Sequence, residues 1–470
     1  MFQLGGVGDD LFVDPAAHVA RDLHTGLAVA CNDLPDIRNA SHQHAPICRN
    51  TASTALRTQC MPGRFRLDRN GPGETRPMSS DLNAQCSEWR KRSESIAPII
   101  RAEADHNDQL RHLSPATMDA LHRIDAFGIC TPVDLGGSDL HPVTQLETVA
   151  TISAADPSTG WNLMNGCQES AWLATRLPDE TVARLFRPGS RDWRFPVTAG
   201  GLAPEGEARP VEGGWVVTAR SAWASGIHTA DYVLIQSFIA EEEQEAGTPR
   251  STVTVAAARE EIVIEDTWHT LGMRGTGSAH YRFDELFVPD EMKLVNLELP
   301  PARGTGFVTR PNPIFLVPAM YATSLGIARR ALEEFAAHAP AGRRRAYRGS
   351  VRERERVQHD IGEAQAMLEA MEGYGRNLCE QLHDTPVDTL EQAVNLGDRA
   401  RSAYRWCNQT TERIVKIVHD HMGGADVFES SMIQRLLRDI QTSSQHIMPG
   451  DSAYIRLGRH RLGLEVRPGI

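Results

Sequence analysis

At 470 residues the chain can bury two or three large cores, and 41% hydrophobic with 23% charged residues is ordinary for a globular protein. A net charge of -12 argues against a surface built to hold phosphate backbones. No run of eighteen apolar residues is present, which excludes a transmembrane helix. The first twenty residues lack the basic and apolar regions of a secretory signal, and the eight cysteines contain no CxxC pair, as expected of reduced thiols in a cytoplasmic protein.

Residues 1–77 mix Pro, Gly, Arg, Cys and His without periodicity. His42, His44, Cys48 and Cys60 match no zinc spacing, so this stretch is expected to be a disordered or mis-assigned extension, with the natural start at Met78. From Ser79 the pattern turns helical: Cys86, Trp89, Ser93, Ile96 and Ile100 fall on one helix face. Ser114-Pro115 predicts a capped helix start, and Gly128 is expected just past that helix's end. A further helix is predicted over about 143–153, so helices fill 78–191.

The middle, 192–300, is strand-rich. RPVEGGWVVTARSAW reads as two strands joined at Glu212-Gly213-Gly214, and four more short β runs follow, enough for a small β barrel. From 301 to 470 three long segments carry apolar residues at helical spacing, as in an antiparallel bundle whose spare apolar faces meet a partner subunit. The predicted class is therefore mainly α with a central β domain.

That order resembles the acyl-CoA dehydrogenase fold: N-terminal helical domain, small β barrel, C-terminal antiparallel helix bundle. WASGIHTADYVLIQ, DTWHTLGMRGTGSAHYRFDELFVP, SLGIARRALEEF and MGGADVFESSMIQRLLRDIQ are each similar to stretches of that family, in the family's order. The chain departs from true dehydrogenases after Arg438-Asp439, where those enzymes carry a glutamate base. Here no carboxylate follows until Asp451, and His446 stands seven residues past Asp439. Arg-Asp, six residues, then His resembles the two-component (group D) flavin-dependent monooxygenase branch.

The resemblance implies the oxygenase component of a two-component monooxygenase. It would use reduced flavin, FMNH2 or FADH2, with O2, and hydroxylate a small aromatic, polycyclic or polyketide-like molecule through a flavin C4a-hydroperoxide. By position Ser225 would accept from flavin N5–H, and Trp223, two residues earlier on the same strand face, would pack beside the isoalloxazine. Gly226 and Arg274 belong to the same expected flavin site, although a glycine-rich loop with one Arg also serves as a plain turn. His446, with an ordinary pKa near neutrality, is expected to take a proton from the substrate. Trp161 reads as core, with a place lining the substrate cavity as the alternative, and Arg438 with Asp439 as a local structural ion pair, with a place bordering the flavin as the alternative.

The basic run Arg343, Arg344, Arg345 and Arg348 lacks the Phe-Gly that follows the family's pyrophosphate-binding arginine, so a solvated loop is expected and FMN is as plausible as FAD. No strand is followed by G-x-G-x-x-G, so electrons are expected from a separate NAD(P)H:flavin reductase. The resemblance also implies a homotetramer, with a dimer as the alternative; no metal and no nucleic acid are expected. Two other readings stay open: an acyl-CoA dehydrogenase with another base, and a non-catalytic flavin-binding protein.

Overall fold

The computed structural model describes residues 78–187, 193–201, 203–240, 250–295, 301–304, 306–338 and 350–465. The expectations for residues 1–77 and for the arginine run at 343–348 lie outside the described residues. Helix α1 (Met78–Leu110) buries the predicted face, with Ile96, Ile100 and Ser93 at 1% exposure or less. Helix α2 (Pro115–Arg123) starts at its predicted cap: Ser114 Oγ accepts the Thr117 N–H at 3.2 Å, and Pro115 occupies the first turn. The helix ends at Arg123, and Gly128 lies beyond it in a short 3-10 turn. A Cβ there would come within 2.3 Å of the Phe195 ring, so close packing requires this glycine rather than a helix terminus.

Helices α3 (Pro142–Ala155), α4 (Pro157–Arg176) and α5 (Asp179–Leu185) complete the N-terminal helices. Asp156 starts α4 by accepting the Thr159 N–H at 3.1 Å. Almost every side chain of α4 is buried, which makes it the axis against which other elements stack.

Among the described residues, eight strands form one mixed sheet. They are β1 (Thr198–Gly201), β2 (Glu207–Val211), β3 (Gly214–Ala224), β4 (Tyr232–Ile239), β5 (Thr252–Ala258), β6 (Val263–Glu265), β7 (Ala279–Pro289) and β8 (Lys293–Leu294). Their order is β6-β7-β3-β2-β4-β5-β8, with β1 parallel to β4. The predicted hairpin is β2–β3: Val211 pairs with Gly214 across Glu212-Gly213, and Gly213 takes a φ of +78°, which a turn this tight demands. β3 and β7 pair antiparallel over their length, with two register shifts, one between Val217 and Ala219 and one between Ser221 and Ala224.

The C-terminal bundle consists of α6 (Asn312–His338), α7 (Glu355–Asp384), α8 (Leu390–Met422), α9 (Met432–Ser443) and α10 (Ser452–Arg461). Helix α6 is apolar nearly all round and is sandwiched between α3 and α8, as a helix buried on every side must be. Thr389 and Gln392 form a reciprocal cap that starts α8. No helix among the described residues is long and apolar enough to cross a membrane.

Candidate active site

At the end of β3 the strand geometry breaks. Trp223 has a φ of +62°, rare for a bulky residue, and sits inside the register slip between Ser221 and Ala224. The bulge ends the two-residue alternation, so Trp223 and Ser225 do not share a strand face as expected. Ser225 lies one residue past β3, half-buried, whereas the Trp223 ring is 71% exposed with only the His280 ring edge-on at 6.3 Å. Gly226 follows at φ +78° and ties the turn down by donating its N–H to the Thr276 carbonyl at 2.8 Å.

Ser225 is the head of a hydroxyl relay whose polarity can be deduced. Thr276 Oγ1 donates to the Met273 carbonyl at 2.8 Å. Its proton being committed, Thr276 must accept from Ser278 at 2.7 Å, and Ser278 in turn must accept from Ser225 at 2.8 Å. Ser225 Oγ also accepts the Trp161 indole N–H at 2.9 Å. What Ser225 retains is one lone pair and no free proton, so toward any further group it is an acceptor.

Trp161 links this relay to the predicted histidine. The Trp161 ring is 7% exposed and meets His446 edge-on at 5.6 Å between ring centres. It is therefore not merely core, and sequence reading missed its role because its partners come from remote segments. His446 lies on the turn after α9, its N–H bonded to the Ser443 carbonyl. Its Nδ1 accepts the Met448 N–H at 3.2 Å, which places the proton of the neutral ring on Nε2. Desolvation lowers its pKa to about 4, not the near-neutral value expected from sequence. At neutral pH His446 is thus an uncharged N–H donor.

Arg438 and Asp439 do not pair with each other. Arg438 donates to the Leu271 carbonyl at 2.6 Å and to Gln434 at 2.7 Å, while Asp439 accepts the Met273 N–H at 2.6 Å. Thr442 Oγ1 accepts the Gly272 N–H at 2.9 Å. Together they clamp α9 to the glycine-rich loop that carries Thr276 and Ser278. Gly272 is obligatory there, since a Cβ would lie 2.2 Å from the Arg438 carbonyl oxygen. Burial is the largest cause that pushes the Asp439 carboxyl up to about 7, against the bond from Met273. Arg274, on the same loop, is partly exposed and faces Asp108 at 3.8 Å.

The family model "Acyl-CoA dehydrogenase, C-terminal domain" matches residues 319–449. An indole-3-acetate monooxygenase of Acinetobacter baumannii is 26% identical, over 83% of this chain and 95% of that one. The oxygenase component of an FADH2-dependent resorcinol hydroxylase of a Rhizobium species is 26% identical, over 79% of this chain and 93% of that one. Among solved structures, XiaF from a Streptomyces species, in complex with FADH2 and glycerol, superposes with a TM-score of 0.71 at 20% identity. That match covers 84% of this chain and all of the other, and it establishes the fold.

Proposed function

We infer that the chain is a member of the flavin-dependent monooxygenase branch of the acyl-CoA dehydrogenase superfamily and the oxygenase component of a two-component system hydroxylating an aromatic substrate. The carrying observation is the relay at the end of β3, which leaves Ser225 an obligate acceptor bonded to the Trp161 indole, whose ring meets the half-buried His446 edge-on.

The residues present fit a reduced flavin. Trp223 offers an exposed ring face, Gly226 a backbone without side chain, and Arg274 a partly exposed cation for a phosphate. FMNH2 and FADH2 would both suit this set, since these residues would hold the ring system and one phosphate, which the two share. When bound, the reduced flavin supplies two electrons that activate O2, so that one oxygen atom enters the product and the other leaves as water.

The chain's own groups then have distinct tasks. Ser225 accepts from N5–H and holds that proton in place, because its own proton is committed to Ser278. His446 presents Nε2–H to an oxygen of the substrate and favours its anionic form, the form richer in electrons at the ring carbons. This replaces proton abstraction with hydrogen-bond donation. Trp161 fills the space between them and excludes water. A separate NAD(P)H:flavin reductase delivers the electrons, and exposed apolar side chains such as Leu390, Phe428 and Ile447 support assembly into a homotetramer.

An anaerobic titration separates this reading from dehydrogenation. Oxidised flavin on the protein should keep its colour when short-, medium- and long-chain acyl-CoAs are added; bleaching by any of them would contradict the proposal.

A further inference from the structure

Two buried side-chain oxygens of α4 have no hydrogen-bond partner among the described residues: Asn162 Oδ1 and Glu169 Oε2. Seven residues separate them, two turns or about 10 Å along the axis, so they share one helix face. The Asn162 end belongs to the site just described. Its side chain is the nearest neighbour of Gly226, and its amide reaches the Gly275 carbonyl at 3.4 Å.

The other faces of α4 are accounted for. Gln168 donates to the carbonyls of Phe315 and Leu316, and Ser170 to that of Pro196, while Gly166, beside the Asn162–Glu169 face, packs one edge of it against Phe127 and Val197. Glu169, 7% exposed, makes no such bond. A buried carboxyl without a partner is destabilising, and an apolar side chain would fill the same space without that cost. Burial also pushes its pKa well above the usual carboxylate range.

We propose that Glu169 is a specificity-determining residue, and that the substrate lies along this face of α4 and donates an amino N–H to its carboxyl group. The proposal rests on the oxygenase reading for its substrate. A substrate ammonium group draws this carboxyl back into its ionised form and holds it with a charge-assisted hydrogen bond, whereas a substrate carboxylate would carry its own negative charge into the same buried space with no cation to balance it.

Three ligands that share one ring test this: tryptamine, indole and indole-3-acetate. Their binding is measured by calorimetry on the full chain, anaerobically with excess reduced flavin, so that no turnover is needed and failure of the oxygenase reading would show separately as absence of oxygenated product. Tryptamine should bind at least about tenfold more tightly than indole-3-acetate, and Glu169→Gln should abolish that preference while leaving indole unchanged. Should Glu169→Gln melt early, Glu169→Met replaces it with a side chain of similar length. Equal affinities, a preference for indole-3-acetate, or a preference that survives both substitutions would overturn the proposal.

Discussion

Ser225 is decided by protons rather than by proximity. Because Ser278 accepts its proton, Ser225→Ala and Ser278→Ala should fail in related ways. The first removes the acceptor for N5–H; the second frees the Ser225 hydroxyl to rotate and donate. Both variants should release more hydrogen peroxide per reduced flavin consumed, with Ser225→Ala the more severe, a fall in product of about 100-fold or more. A peroxidase-coupled assay beside product quantification checks it, and a silent Ser278→Ala would remove the relay from the account. His446 is tested by which replacement rescues it. If it donates through Nε2–H, His446→Gln should keep far more hydroxylation than His446→Ala, because the Gln amide also donates. With its pKa near 4, no loss of product centred near pH 6.5 should arise from this residue. Equal loss in both variants, or an acid limb near 6.5 that disappears in His446→Gln, would restore the proton-abstracting role. Ser225 and His446 were legible in the sequence through short motifs around them. Trp161, Ser278 and Glu169 were not, since a hydrogen bond spanning 64 residues, or the lack of any bond, leaves no local pattern.

At the scale of elements, the decisive joint is α9 against the loop 271–277. Helices and strands were readable from period and caps: Ser114-Pro115 and Glu212-Gly213 appear where expected. The joint was not, because Arg438 and Asp439 adjoin in sequence and suggest mutual pairing, whereas successive residues on a helix point about 100° apart. Asp439 gives the joint a pH signature. Its folded pKa near 7 exceeds the unfolded carboxylate value, so the native state keeps a proton that the unfolded chain has released. Its contribution to stability is complete below about pH 4 and is lost as pH rises through 7. The neighbours that act on it are Asp156, Asp108 and Arg435. Asp439→Asn keeps an acceptor for Met273 and cannot ionise, so its melting temperature relative to wild type should rise between pH 5 and pH 8. A constant difference across that range would show that the carboxyl does not titrate there.

For the whole molecule, Leu390, Val427, Phe428 and Ile447 are each more than 60% exposed, Ile447 directly beside the His446 turn. Isolated apolar side chains on a surface need no explanation, but four on the bundle suit faces that other subunits cover. Light scattering at micromolar concentration should give the mass of four chains, and Ile447→Asp should lower it. A monomeric mass for the wild type would contradict the assembly. The central claim concerns where oxygen goes. Reduced flavin is supplied by a reductase under 18O2 with a panel of phenols, indoles and aromatic amines, and the label is followed by mass spectrometry. The account predicts a hydroxylated product carrying one 18O atom from the wild-type chain, and in Ser225→Ala a shift of consumed oxygen from that product into hydrogen peroxide. A product whose new oxygen comes from water, or oxygen consumption by the wild type that ends wholly in hydrogen peroxide with every substrate, would contradict it.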